Sequence, residues 1–447
     1  MTDHDRPTGS LCPVCLSAVP AALLAEGNAV VLEGRCPDHG VWRTPIWSGL
    51  PSFESWCGDG CSTEVGRDLT GGEARERAAG ECPGACGLCS RHQQNTCTAV
   101  VEVTQTCDLH CPVCFAESSP DAPQADRSVE QLAETFRGLF AAQGPVNLQL
   151  SGGEPTTRDD LPEVIGAACA AGFTFIQLNT NGLHLASDPG YADELRSAGL
   201  ASVFLQFDGI ADDTYEALRG RPLAAQKLQA LERCAQAGLA VVLVPTVVPG
   251  VNDHEIGSLV RLAALWPGTV RGLHLQPVSY FGRYIAGDRP RLTLPEVLRA
   301  LEEQTGGDVR AGDFAPSCCE HARCSFRARY WIRDDGRLEL VRSASSCCPP
   351  EPAGAARRAI AATSRQWSRR PRGETGEHTG PPGELDRFLD ETDRILCISG
   401  MLFQDAWSVD LERARRCCVH VDVPGRGLVP FCLWNLTSAS GRRLYPR

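Results

Sequence analysis

Lysine is nearly absent. Lys227 is the only one among 43 basic residues, an imbalance that reads as codon bias rather than as an adaptation to phosphate. Positive charge is also short overall, since 55 acidic residues bring the net charge to −12. That excludes a general nucleic-acid binder, whose affinity would come from a basic surface, and leaves room only for a local arginine patch. Long hydrophobic runs are missing too. The longest, Leu239 to Val251, is broken by Pro245 and Pro249 and falls short of the ~20 residues a membrane helix needs. The N-terminus carries Asp3, His4 and Asp5, which is no signal-peptide pattern. The expectation is a cytoplasmic protein.

Cysteine, in contrast, is abundant, with 23 in 447 residues. The cytosol keeps thiols reduced, so a disulfide framework is not expected, and dense cysteine there points to metal. Hydrophobic content of 43% is ordinary for a globular chain. The length suffices for a full-sized core and one or two smaller domains. Cys169 and Cys234 stand alone on helical patterns and read as small core residues. The other cysteines cluster.

Cys12-Pro-Val-Cys15 and Cys36-Pro-Asp-His39-Gly40 form two knuckles flanking a short strand, Ala29 to Glu33. Their spacing matches a tetrahedral zinc or mononuclear-iron ribbon, with Cys57 or Cys61 as alternatives to His39. Such a ribbon usually only stabilises a small domain. Next comes Cys82-Pro-Gly-Ala-Cys86-Gly-Leu-Cys89, with Cys97 eight residues further on. Three cysteines plus one suggest a fully protein-ligated 4Fe–4S cluster, His92 being the competing fourth ligand. In Thr106-Cys107-Asp108-Leu109-His110-Cys111-Pro112-Val113-Cys114 there are three thiols and no fourth beside them. Three thiolates bind three irons of a cube and leave one iron open to a ligand that is not protein.

From Ala99 to about Val278 the pattern is regular. Strands are expected at Ala99–Thr104, Val146–Leu150, Phe173–Leu178, Ser202–Phe207, Ala240–Val247 and Gly272–Pro277, with helical periodicity between them. In Ser128–Phe140, for example, Val129, Leu132, Phe136, Leu139 and Phe140 recur at helical steps behind a serine cap. Alternating strands and helices predict an α/β protein with a parallel, partial (β/α)6 barrel. Polar residues gather at the strand ends: Gln105, Ser151, Asn179, Asp208, Thr246 and Gln276. That edge is where β/α barrels build active sites.

These residues resemble the radical S-adenosylmethionine (SAM) enzymes. Cys107-x3-Cys111-x2-Cys114 has that family's cluster spacing at the end of a first strand, and Ser151-Gly152-Gly153-Glu154-Pro155 looks like its GGE motif at the end of the next. The resemblance implies that the open iron chelates SAM and that Glu154 accepts a hydrogen bond from the methionine amine. It also implies reductive cleavage to a 5′-deoxyadenosyl radical that removes hydrogen from an unactivated C–H bond. Gly152 and Gly153 would let backbone approach the ligand closely. Asn179, in Asn179-Thr180-Asn181-Gly182, and Asp208, in Gln206-Phe207-Asp208-Gly209, are candidates for the SAM ribose or the substrate, or simple turn formers. Many members carry an aromatic residue before the third cysteine; here it is Val113, with Phe115 following.

The ordered motifs, down to Cys417-Cys418-Val-His-Val-Asp-Val-Pro-Gly-Arg-Gly-Leu-Val-Pro-Phe-Cys432, look like the tetraether-synthase-like, cysteine-rich branch. That branch implies C–C bond formation on, or modification of, a lipid chain. Related sequences are read as radical methyltransferases of pterin-type substrates. A peptide-modifying maturase and a substrate-free iron–sulfur electron-transfer or scaffold protein are the rivals. The implied cofactors are SAM, its 4Fe–4S cluster, one or two auxiliary 4Fe–4S clusters, and mononuclear Zn or Fe. Implied partners are a small-molecule or lipid substrate and a flavodoxin- or ferredoxin-type reductant, with peripheral membrane contact for a lipid. Cys397, Cys418 and Cys432 are the expected ligands of a C-terminal cluster near the barrel mouth, Cys417 being an alternative to its neighbour. The expected division is a ribbon over residues 1–60, an auxiliary-cluster segment over 61–98, a core over 99–288 and a C-terminal cluster region over 289–447. Residues 342–384 read as a mobile linker.

Overall fold

The computed structural model describes residues 6–57, 82–84, 86, 88–89, 91–120, 126–285, 287–317, 319–341, 355–368 and 392–446. The first segment is an antiparallel meander of β1 (Arg6–Leu11), β2 (Ala18–Glu26), β3 (Ala29–Cys36) and β4 (Gly40–Ser48), paired in chain order. In a meander the first and third turns lie at the same end. That brings Cys12 and Cys15, in the first turn, to Cys36 and His39, in the third.

The remaining strands make one sheet. They are β5 (Thr98–Thr104), β6 (Asn147–Gly152), β7 (Ile176–Thr180), β8 (Ser202–Gln206), β9 (Ala240–Val244), β10 (Thr246–Val247) and β11 (Val270–Pro277). After them come β12 (Ser325–Ile332), β13 (Leu338–Leu340), β14 (Ile395–Met401), β15 (Val419–Val423) and β16 (Gly427–Pro430). The spatial order is 13-12-14-11-9-8-7-6-5-15-16, with β10 beside β11. The strands β15, β5, β6, β7, β8, β9, β11 and β14 are mutually parallel. Each of these eight contributes a residue to one cavity, so the sheet curls around it as an open barrel. The expected six-stranded core is thus flanked on both sides by strands from the C-terminal region. Every residue of Ala240–Val244 is buried, as expected for a parallel strand covered on both faces. Pro245, which has no N–H, separates β9 from β10.

The helices are α1 (Val129–Gln143), α2 (Leu161–Ala170), α3 (Leu183–Ser187), α4 (Tyr191–Ser197), α5 (Asp212–Arg219), α6 (Ala224–Ala237), α7 (Ile256–Ala264), α8 (Leu294–Gln304), α9 (Ala355–Trp367), α10 (Leu411–Arg415) and α11 (Phe431–Asn435). Ser128 opens α1 with a full capping box, its hydroxyl accepting from the Gln131 amide while Gln131 accepts from the Ser128 amide. The helix buries Leu132, Phe136 and Leu139. None of the described helices is long and apolar enough to cross a membrane.

The segment expected as a linker contains α9. Its Ala356 and Ala359 are buried, and Trp367 reaches the barrel interior against Phe204 and His274, at ring-centroid distances of 5.9 and 5.8 Å. Ala-rich composition favours helix, and small residues allow close packing, so Ala355–Trp367 forms a packed helix in place of the expected linker. Gly272 leaves space for the tryptophan: a Cβ there would lie 3.1 Å from its Nε1.

Candidate functional site

The loop after β5 carries Cys107, Cys111 and Cys114 to the cavity wall. Arginines from other elements hold its backbone in place. Arg283 donates to the carbonyls of Cys111, Glu117 and Ser118 at 3.0, 3.2 and 2.8 Å, and its own main chain pairs both ways with Cys114. Arg219 donates to Val113 O at 2.8 Å. Burial pushes the Cys107 thiol up to about 12 and raises Cys111 as well, although Arg219 pulls Cys111 back. Thiols so buried ionise when a metal takes the place of the proton. The three fit a cluster site: they line one cavity, their loop is held by arginines, and the charged side chains of Glu154 and Arg219 share the same wall.

Glu154 is one of those groups. It is 2% exposed, yet it lines the cavity. Its Oε1 accepts from Thr156 N, Thr156 Oγ1 and Thr180 Oγ1 at 3.1, 2.7 and 2.7 Å, and its Oε2 from Asn181 N at 2.6 Å. Burial raises its pKa while these donors lower it. With four donors fixing the carboxylate, Oε2 keeps capacity for a ligand's N–H. The two glycines before it line the cavity and also serve a purpose the sequence does not show. A Cβ on Gly152, whose φ is +124°, would stand 2.0 Å from Thr104 O, and one on Gly153 would stand 2.0 Å from Thr106 O. The close approach is between the first two strand ends, sealed by Gly153 N to Thr104 O at 2.9 Å and Glu154 N to Thr106 O at 2.8 Å.

Asp208 departs from expectation. It is fully buried and is not among the cavity-lining residues. Both of its oxygens accept from Arg219 at 2.7 Å, and Thr246 N donates at 3.0 Å. Asp208 therefore orients Arg219, and Arg219 lines the cavity in its place. An arginine ending a helix otherwise reads as a dipole partner, so the sequence carries no signal for it. Asn179 does line the cavity, and its Oδ1 is buried without a hydrogen-bond partner. Gln149, Ser151, Gln206, Thr246, His274 and Gln276 add polar side chains to a largely apolar interior, and Phe115, Phe403 and Phe431 form an aromatic group on its wall. The cavity volume is about 280 Å³. Burial lowers the pKa of His274 to about 4, so this imidazole is neutral at physiological pH.

The other cysteines fall into several groups. Cys12, Cys15, Cys36 and His39 bring their ligand atoms within 4.8 Å of one another, with edges of 3.6 Å (Cys12–His39), 3.9 Å (Cys15–Cys36) and 3.4 Å (Cys36–His39). A tetrahedral ion with Zn–S of about 2.3 Å has ligand edges of roughly this size. Donors from Ser17 lower the Cys15 thiol to about 6. Cys97 does not join Cys82, Cys86 and Cys89. It lies within 4.8 Å of Cys319 and Cys418, and Glu320 approaches those two thiols at 2.9 and 3.7 Å. Strand register explains the correction, because β5 pairs with β15 through Thr98 and Val419, which places Cys97 and Cys418 side by side just before. His92, the other expected fourth ligand, packs instead against His420 and the Cys417 carbonyl.

The expected trio Cys397, Cys418 and Cys432 is also divided. Cys432 neighbours Cys417 and Cys324, whose sulfur accepts from Arg413 at 3.3 Å. Successive residues entering a strand point to opposite sides, so Cys417 and Cys418 serve two different groups. Cys397 lies within β14, with Arg327, Arg329 and Ser399 as its electrostatic neighbours. Cys61, Cys318, Cys347 and Cys348 fall outside the described residues, as does the Cys57 side chain.

Two family models match, the radical SAM superfamily over residues 101–263 and the HMPTM N-terminal zinc ribbon domain over residues 5–48. The 7,8-dihydro-6-hydroxymethylpterin dimethyltransferase of Methanocaldococcus jannaschii is 30% identical, covering 96% of this chain and 93% of that protein. The chain belongs to the radical SAM superfamily. Among its other relatives, the GTP 3′,8-cyclase of Marinobacter nauticus is 28% identical over 54% of this chain and 77% of its own. Streptococcus suis SuiB bound to precursor peptide SuiA is similar at a TM-score of 0.40 and 16% identity, over 48% of this chain and 46% of that one. Membership of the radical SAM superfamily implies a 4Fe–4S cluster and SAM. The three thiols of the Cys107–Cys114 loop and Glu154 are the residues that fit them.

Proposed function

We propose that this radical SAM enzyme is a methyltransferase acting on a small polar ring system of the pterin type. The observation that carries the reading is the set of side-chain amides, Gln149, Asn179, Gln206 and Gln276, that β6, β7, β8 and β11 bring to the wall of an otherwise largely apolar cavity. The Gln276 amide and the Gln149 carbonyl oxygen can exchange hydrogen bonds with a heterocycle's ring nitrogens and amino groups, which an aliphatic chain cannot offer. The dimethyltransferase that matches along nearly the whole chain supports the same reading.

When bound, the cluster and SAM supply the carbon radical that abstracts hydrogen. The protein's own residues do the positioning. Glu154 and Arg219 offer opposite charges to SAM's aminocarboxylate. The arginine-held loop fixes the three thiols, and Phe204, Trp367 and His274 close the barrel interior against water. A one-electron donor of the flavodoxin or ferredoxin type belongs to this reading. So does at least one metal site beyond the SAM cluster, held by the other cysteine groups.

Joining of sp3 carbons in lipid chains is the second reading, favoured by the aromatic wall of Phe115, Phe403 and Phe431. Anaerobically reconstituted protein with SAM and a strong reductant should be offered a reduced pterin or a membrane-lipid extract, and the products weighed by mass spectrometry. The proposal expects added methyl groups on the pterin. Modified lipid with untouched pterin would overturn it in favour of the second reading.

A further inference from the structure

Lys227 is the chain's only lysine and has no exposed surface. It projects from α6 beneath the cavity floor and is not one of the residues lining it. An ammonium has three protons to place, and here two of them meet oxygen acceptors while an aromatic face stands off from the charge. Asn181 O accepts one and Gln206 Oε1 accepts another at 3.0 Å, while the ring face of Tyr215 lies 5.8 Å away. These partners come from the ends of β7 and β8 and from α5.

Each strand-end partner leads to a charged group of the SAM site. Asn181 donates its amide N–H to Glu154 Oε2 at 2.6 Å and its side-chain N–H to Asp108 Oδ1 at 2.6 Å, beside Cys107. Gln206 donates to Asp208, which holds Arg219. The ammonium therefore sits at the junction of two hydrogen-bonded arms, one ending at the carboxylate and the other at the guanidinium.

Packing alone does not account for the lysine. Burial lowers its pKa to about 8, so the site disfavours the charge it carries. A methionine would fill the same space without that penalty, as apolar replacement of buried charge commonly does. Nor would arginine serve, although this chain uses it at every other basic position. A planar, larger guanidinium cannot reproduce the compact ammonium's bonds to two converging oxygens in this buried space.

We propose that Lys227 is a positioning residue that ties the ends of β7 and β8 together and so sets Glu154 and Arg219 at the separation SAM's aminocarboxylate requires. The inference rests on the reading of this cavity as the SAM site. It is tested by SAM binding to the anaerobically reconstituted full-length protein, measured by equilibrium dialysis, together with the electron paramagnetic resonance spectrum of the reduced cluster with and without SAM. Lys227→Met should keep its thermal midpoint and its iron, yet bind SAM about tenfold more weakly, the size expected for coupled neighbours. The spectral change that SAM causes in the wild type should shrink accordingly. Lys227→Arg should not restore either property. Gln206→Met, which cuts one arm and leaves the lysine, should weaken binding by a smaller factor, and it keeps the test open if Lys227→Met does not fold. Wild-type-like affinity and spectra in the variants that fold, or full rescue by arginine, would overturn the inference. Absence of SAM binding by the wild type would instead refute the reading of the cavity.

Discussion

At the scale of single residues, the site is governed by how few alternatives each position allows. Gly153 is the sharpest case. Its φ is ordinary, but a Cβ would be driven into the Thr106 carbonyl at 2.0 Å, and backbone cannot retreat as a side chain can. Gly153→Ala should separate the Cys107–Cys114 loop from β6, with a loss of about 1–3 kcal/mol. Lower iron retention at the SAM cluster and a lower unfolding midpoint would be the signs, whereas full iron loading at an unchanged midpoint would contradict the expectation. His274 gives a prediction in pH. Unfolded, its imidazole takes a proton below its ordinary value of 6.5; folded, only near 4. The stability it contributes is whole above pH 6.5 and is lost as pH falls toward 4, on the order of 3 kcal/mol in all. His274→Gln, compared with wild type by denaturant unfolding from pH 7 to 4, should show a shallower acid decline. Parallel curves would mean that His274 is not the titrating group.

At the scale of elements, the capping and packing of α1 are legible in the sequence itself, because Ser128, Leu132, Phe136 and Leu139 announce both its start and its buried face. Phe136 is fully buried and meets Phe173 edge-on, with centroids 6.4 Å apart. Phe136→Ala should cost about 3–5 kcal/mol, read as a lowered denaturation midpoint with SAM cleavage retained in the folded fraction. The six central strands and the placement of the three loop thiols are readable for the same reason: local periodicity and a motif at a strand end need only neighbours in sequence. The structure adds what depends on distant pairing. The strands β14 and β15 sit among cysteines and join the parallel strands only through partners far away in the chain. Spacing alone puts Cys97 in the wrong group, because its neighbour is fixed by the register of β5 against β15. Asp208 misleads because its charge is spent on Arg219, and no sequence spacing records that.

At the scale of the whole molecule, the cysteine groups are separate constructions on one frame. Replacing Cys107, Cys111 and Cys114 together by alanine should abolish release of 5′-deoxyadenosine while leaving metal at Cys12, Cys15, Cys36 and His39. Elemental analysis that found only background metal in the folded variant would contradict this independence. The C-terminal region, for its part, flanks both sides of the barrel's parallel strands, through β14 beside β11 and β15 beside β5. The group of Cys97, Cys319 and Cys418 has a consequence for how the protein comes into being. The ribbon's four ligands are all synthesised by residue 39, so that site can be filled while the ribosome is still at work. Cys97 must wait for residue 418, and until then its thiol and the unpaired edge of β5 are open to oxidation and to wrong strands. Any metal held by this group can therefore be delivered only after residue 418 has been made, and its arrival would record that β15 has docked against β5.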